Sequence, residues 1–280
     1  MSRATTAAAA ERLPLHHGGR VPRVGLGTWQ LEGRECERAV ERALGMGYRH
    51  VDTAEAYGNE EAIARALGRA GVDRDELFLT SKVWRDHLRG PDVRRACEAS
   101  LRRLGTDRLD LYLVHWPDSD VPIEETVEAM ERLREDGRVR AWGVSNFTVA
   151  HLTEVLGHAT PSANQVELHP RLRQAELDRF CAEHGVRVIA YSPLAQGDAP
   201  REDALEEIGS RHGRSGAQVA LRWSVQHGHV VIPRSSDEEH LAANLALFDF
   251  ELAAEEMERI DALDRGERHV APDFAEFDRA

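Results

Sequence analysis

Stretches with apolar residues every three or four positions alternate along the chain with short apolar runs that lack this spacing. Cys36, Ala39, Val40, Ala43 and Leu44 form one stripe, and Val93, Ala96, Cys97, Leu101 and Leu104 another. Both patterns predict amphipathic helices. Glycine closes such stretches at Gly47, Gly71, Gly105, Gly137, Gly157, Gly185 and Gly228, near positions where a left-handed residue ends a helix. Short strands are predicted at Val24–Leu26, Tyr48–Val51, Leu77–Thr80, Leu109–Val114, Val139–Val144, Ala163–Val166, Val186–Ala190 and Val230–Ile232. Strands alternating with helices in this way predict an α/β fold, a closed (β/α)8 TIM barrel in a single domain. An open doubly wound sheet is the rival, but no strand runs into a GxGxxG turn.

The strand ends are polar. They read Asp52, Ser81-Lys82, His115-Trp116, Ser145-Asn146, Gln165, Tyr191-Ser192 and Arg234-Ser235. Taken singly, each is a cap or a satisfied core group. In a barrel they all open onto the C-terminal face, where such enzymes place their sites.

Composition narrows the picture. The chain has 280 residues, 41% of them hydrophobic, which suits one large barrel. Residues 1–12 read as a disordered lead and 13–280 as the barrel with its tail. A net charge of −13 argues against nucleic acid as a partner. The absence of long apolar runs argues against a membrane. Cys36, Cys97 and Cys181 lie far apart on helical apolar positions, as buried thiols of a cytoplasmic protein would. Of 36 basic residues all but one are arginine, and the lone lysine is Lys82. Either genomic bias spared one codon, or that position needs a compact amine.

Asp52, Tyr57, Lys82 and His115 come from three successive strand ends and make an acid–base set. A phenol titrates near pH ~10. An adjacent ammonium lowers that value, while a carboxylate keeps the ammonium charged and fixed. Tyr57 beside Lys82, with Lys82 bridged to Asp52, would thus serve as a general acid, and His115 would orient the acceptor oxygen. No HExxH, Cys/His cluster or carboxylate cage suggests a metal; the nearest approach, His16-His17, precedes Gly18-Gly19 in a turn.

At this point the chain resembles the aldo-keto reductase family. The similarity runs through Gly25-Leu-Gly-Thr-Trp29, Gly47-Tyr-Arg-His-Val-Asp-Thr-Ala-Glu-Ala-Tyr57-Gly-Asn-Glu60, Thr80-Ser-Lys82-Val-Trp84 and Leu109-Asp-Leu-Tyr-Leu-Val-His115-Trp-Pro117. It continues through Gly143-Val-Ser-Asn-Phe147, Asn164-Gln165-Val-Glu-Leu-His-Pro170 and Tyr191-Ser-Pro-Leu194. These motifs stand in family order over roughly residues 13–265. The resemblance implies NADP(H) laid across the rim, with Asp52, Tyr57, Lys82 and His115 as catalytic residues. It implies cofactor contacts at Thr28, Asp52, Ser145, Asn146, Gln165, Tyr191, Ser192, Leu194, Gln196, Arg234, Ser235, Ser236, His240 and Asn244. It also implies a substrate pocket walled by Trp29, Trp84, His115 and Trp116.

The adenosine end departs from the family pattern. Arg234 stands where lysine is usual, and His240 and Ala243 replace an arginine and a glutamate ahead of Asn244. Arginine can replace lysine as a phosphate partner, whereas histidine near its ordinary pKa is largely neutral. Ser236 and Glu239 also make a capping box, and Asp237 adds negative charge. NADPH is expected, with only a modest preference over NAD as the weaker alternative. The expected function is reduction of a small aldehyde or ketone by a cytoplasmic monomer, similar to the short prokaryotic 2,5-diketo-D-gluconate reductases. The alternatives are a nucleotide-binding barrel serving as a non-catalytic or regulatory subunit, and a metal-dependent barrel hydrolase. The intact acid–base set argues against the first, and the missing ligand cluster against the second.

Overall fold

At Gly47 the backbone turns left-handed, with φ of 108°, and the N–H groups of Gly47 and Tyr48 return to the carbonyls of Leu44 and Ala43. This turn ends helix α1 (Gly33–Met46) and aims the chain into the strand that carries Asp52. Most of the other expected helix-ending glycines are left-handed as well, but Gly157 is right-handed at φ −65°.

The computed structural model describes residues 11–278. An antiparallel hairpin, β1 (Arg12–Pro14) and β2 (Arg20–Pro22), precedes the barrel. Arg12 of the expected lead is therefore already paired, while residues 1–10 lie outside the described residues. Eight parallel strands follow in chain order: β3 (Leu26–Gly27), β4 (His50–Asp52), β5 (Phe78–Val83), β6 (Leu109–Val114), β7 (Val139–Ser145), β8 (Ala163–Glu167), β9 (Arg187–Tyr191) and β10 (Val230–Val231). Val24 pairs in parallel with Val231 and closes the ring. The single-domain (β/α)8 barrel expected from the alternation is the fold observed.

The helices between strands are α2 (Glu60–Ala70), α3 (Gly90–Leu104), α4 (Ile123–Glu135), α5 (Val149–Leu156), α6 (Ala175–Glu183), α7 (Asp203–His212) and α8 (Gly216–Gln226). Helices α9 (Glu238–Leu245) and α10 (Ala254–Asp261) follow β10. Strand periodicity sorts the core into two layers. Leu111 and Leu113 point inward to Phe78, Ala141, Ile189 and Ile232, with Leu15 and Val21 of the hairpin region filling the same interior cluster. Tyr112 and Val114, on the other face of β6, join the cluster shared with the helices. The interior is thus packed, and space for chemistry remains at the strand ends. The three cysteines are buried and free, and burial pushes their thiols up, to about 11 for Cys36 and about 12 for Cys97 and Cys181. Among the described residues no helix is long and apolar enough to cross a membrane.

Candidate active site

Lys82 near the end of β5 is fully buried, and its ammonium meets three acceptors. Nζ lies 2.5 Å from Oδ1 of Asp52, 2.8 Å from the carbonyl of Thr53 and 3.4 Å from the hydroxyl of Tyr57. Three N–H donors and three acceptors leave the buried cation satisfied. Burial alone would lower the lysine's pKa, but Asp52 and Tyr57 outweigh it and hold the group above its ordinary value. The second oxygen of Asp52 accepts from Nε2 of Gln165 at 2.7 Å, and the Asp52 carbonyl accepts from the hydroxyl of Thr28 at 2.9 Å.

Tyr57 ends a short 3-10 turn (Glu55–Tyr57), closed by the left-handed Gly58. Asn59 locks this loop by donating to the carbonyls of Thr28 and Leu31 and accepting from Thr53. The pKa expectation for Tyr57 needs correction. Burial raises the phenol more than the ammonium lowers it, and the Asp52 carboxylate adds to the rise, so the net shift is upward. His115 lies edge-on to Tyr57 at 5.6 Å and to Trp84 at 5.1 Å between ring centroids. Burial, reinforced by the Lys82 charge, pushes His115 well below the ordinary imidazole range, so it is neutral.

A second polar group sits beside the first. Tyr191 donates to Oδ1 of Asn146 at 2.8 Å, and Nδ2 of Asn146 donates to the carbonyl of His115 at 3.0 Å. Ser145 donates to the carbonyl of Gln165 at 2.8 Å. Asn146 has a φ of 65°, and Ser192, Ala195 and Gln196 in the loop after β9 are also left-handed. Such conformations in residues other than glycine are costly and cluster where a backbone is shaped for a ligand. Leu194 lies in the same loop, half-buried.

Trp84 and Trp116 line the mouth together with two tail residues. Phe274 packs edge-on to Trp84 at 5.7 Å and to Trp116 at 5.5 Å, and Phe277 packs on Trp116 at 5.7 Å. Trp29 stands apart: it is 43% exposed and makes no ring contact among the described residues. Glu55 accepts from the backbone N–H of Trp84 and from His87, tying the Tyr57 loop to the aromatic wall.

At the far end of the rim Arg234 is exposed and forms no ion pair among the described residues. Ser235 and Ser236 are half-buried beside it, and Asn244 is on the buried side of α9. The cap of α9 is Asp237, which accepts from the N–H of His240 at 2.9 Å, so the expected Ser236–Glu239 capping box is replaced. The reason is local: Asp237 is the last extended residue before the helix. That N–H also holds the Asp237 carboxyl below its ordinary range. The side chain of His240 is 77% exposed. Sequence reasoning missed Arg42 of α1, which donates to the carbonyl of Ser236 at 3.4 Å from 194 positions away. It also missed the Thr53 carbonyl and Glu167, although Glu167 stands inside the Asn164–Pro170 motif.

Fold and mouth together define a (β/α)8 barrel with a buried lysine–carboxylate–tyrosine cluster at its strand ends. The Aldo/keto reductase family model matches residues 23–265. Glyoxal reductase of Bacillus subtilis is 46% identical over 261 residues, covering 92% of this chain and 94% of that protein. An aldo-keto reductase of Mycolicibacterium vanbaalenii is 46% identical over 267 residues, covering 94% and 96%. Among solved structures, a putative 2,5-diketo-D-gluconic acid reductase B superposes with a TM-score of 0.92 at 38% identity, over 96% of this chain and 98% of that one. Aldose reductase from Schistosoma japonicum gives 0.89 at 35% identity, over 93% and 94%. The chain belongs to the aldo/keto reductase family and is an oxidoreductase of carbonyl compounds.

Proposed function

We propose that this protein is an NADPH-dependent reductase of small aldehydes and ketones in which Tyr57 is the general acid. The observation that carries the reading is the buried Lys82 between Asp52 and Tyr57. The residues present suit a dinucleotide: an exposed Arg234, without an ion pair among the described residues, would meet the adenosine end, and an amide and hydroxyl set surrounds Tyr191 at the other. Ser145, Asn146 and Gln165 would hold the carboxamide, Tyr191 would flank the ring, and Thr28, Ser192, Leu194 and Gln196 would line the path between. Reduced nicotinamide, when bound, supplies hydride to the carbonyl carbon.

The chain's own residues do the rest. Tyr57, raised above the ordinary phenol value, is protonated at neutral pH and can give its proton to the oxygen as negative charge builds there. Lys82, itself fully buried, stabilises the phenolate that remains from within 3.4 Å. Among the described residues Nδ1 of neutral His115 is buried without a hydrogen-bond partner. With its proton on Nε2, the ring can donate to the same oxygen. Trp84, Trp116 and the tail phenylalanines favour flat or apolar substrates.

The test is consumption of NADPH with methylglyoxal and with benzaldehyde, without added metal and in the presence of chelator. Turnover of either aldehyde, undiminished by chelator, is expected. A protein that binds NADPH but turns over neither is a non-catalytic barrel, and activity restored by zinc after chelation would refute the tyrosine mechanism.

A further inference from the structure

Glu167 is the last residue of β8 and is fully buried. Its Oε1 accepts from the backbone N–H of His269 at 2.9 Å and lies 3.2 Å from Nε2 of His169. Its Oε2 accepts from the backbone N–H of Val270 at 3.0 Å. Burial pushes this carboxyl up, but the His169 contact and the two tail N–H groups hold it below its ordinary range. An ionised carboxylate without water is tolerated only when bonds of this kind replace the lost hydration.

The segment it grips has no helix or strand of its own beyond α10. Four residues past Val270, Phe274 reaches Trp84 and Trp116. Arg85 lies over the Phe274 ring at 4.8 Å and Arg268 over Phe277 at 3.8 Å. Beyond Phe274, Glu276 accepts from the N–H of Ser119 at 2.9 Å and pairs with His151 at 3.1 Å. The tail is thus a strap pinned on either side of Phe274, with Phe277 just beyond the outer pin. The inner pin grows from the strand that also holds the catalytic carboxylate. Side chains two apart on a strand share a face, and here Gln165 bonds Asp52 while Glu167 bonds the strap.

We infer that Glu167 is a positioning residue: it latches the tail so that Phe274 completes the aromatic wall, and thereby sets the range of carbonyl substrates. It touches no reacting atom. Its influence falls on large substrates that need the wall, and much less on small ones that do not. This inference rests on the proposed carbonyl reductase activity, but its first readout is independent of that activity.

Glu167→Gln keeps shape while removing the charge and replacing one of the two acceptor oxygens by an amide donor, so that only one of the two tail N–H groups keeps its acceptor. Losing one charge-assisted bond corresponds to about tenfold in an opening equilibrium. Hydrogen exchange at the amides of His269 and Val270 should therefore quicken about tenfold or more. The ratio of kcat/KM for 2-naphthaldehyde to that for propanal should fall about tenfold, mostly through KM. Phe274→Ala should lower the same ratio, and the double variant should fall little further, because both changes remove one wall. Unchanged exchange in Glu167→Gln would overturn the latch, and faster exchange with an unchanged ratio would overturn its role in substrate range. Additive losses in the double variant would show that Glu167 acts by another route. If the Gln variant fails to fold, Val270→Pro removes one bond from the tail side and must show faster exchange at the remaining His269 amide and the same fall in the ratio. Absence of turnover with every aldehyde in the unaltered protein counts against the reductase reading, and the exchange result still judges the latch.

Discussion

Lys82→Arg preserves charge and hydrogen-bonding capacity, yet it should cost the enzyme most of its turnover. The ammonium has three protons, and acceptors at 2.5, 2.8 and 3.4 Å take all of them in a space with no solvent exposure. A guanidinium is planar and larger, and its donors diverge in a fork. Forcing it into this cage costs about 1–3 kcal/mol of stability by overpacking. It also displaces either Asp52 or Tyr57, which removes positioned acid catalysis and lowers turnover by about 10²-fold or more. Lys82→Met separates the two effects. It fits the space but leaves the Asp52 carboxylate buried with Gln165 as its remaining side-chain donor. Breaking a buried pair from one side typically costs about 3–5 kcal/mol. The Met variant should therefore melt lower than the Arg variant, while both lose turnover. The assays are NADPH absorbance with benzaldehyde, thermal denaturation by circular dichroism, and nucleotide binding by tryptophan fluorescence. An Arg variant with normal melting, normal binding and near-normal turnover would refute the compact-cage argument and leave the lone lysine a codon accident.

Two further predictions concern charge elsewhere. His50, fully buried beneath Asp52, is lowered to about 4, chiefly by burial, with Asp52 opposing and Lys82 reinforcing the drop. The native state then binds fewer protons than the unfolded chain below the ordinary imidazole value of 6.5, so stability falls by about 3 kcal/mol as the pH drops from about 6.5 to about 4. Urea melts of the unaltered protein and of His50→Gln should differ in that pH slope by this amount, and parallel slopes would contradict it. At the adenosine end, Arg234→Ala should weaken NADPH binding while sparing NADH. Arg42→Ala should do so less, because Arg42 balances Asp237. Equal losses for both nucleotides in fluorescence titrations would remove the 2′-phosphate from Arg234.

The barrel and its polar rim were legible in the sequence because they rest on periodicity and on where strands stop, both local properties. What the sequence did not reveal depends on contacts made at long range. The direction of the Tyr57 shift turns on burial outweighing an ammonium at 3.4 Å, and spacing shows the ammonium but not the burial. Thr53 acts through a carbonyl, which no side-chain pattern encodes. Glu167 stood in a recognised motif, but its partners are backbone amides 102 and 103 positions away. At α9 two caps were available, Ser236 and Asp237, and backbone geometry alone selected the second. Trp29 matched a pocket position by motif but stands exposed at the rim, since nothing in its own neighbourhood closes over it.

The distribution of cations gives the lone lysine its meaning. Elsewhere buried carboxylates are met by arginine: Asp110 of β6 takes Arg74 at 2.8 Å and Arg140 at 3.0 Å, one on each oxygen, and Glu60 takes Arg103 at 2.7 Å. These arginines are partly exposed, and their long side chains reach the buried oxygens from the surface side. At the mouth the requirement is opposite. One cation must meet a carboxylate, a carbonyl and a phenol at once, and its field must act on two neighbouring groups. Lys82 pulls against the rise of Tyr57 and deepens the fall of His115. A compact charge can do both from one point, leaving an imidazole that is neutral and a phenol whose conjugate base is stabilised. Under the proposed mechanism that pairing suits proton delivery to a carbonyl oxygen, and it would account for an amine at this position in a chain otherwise built with arginine.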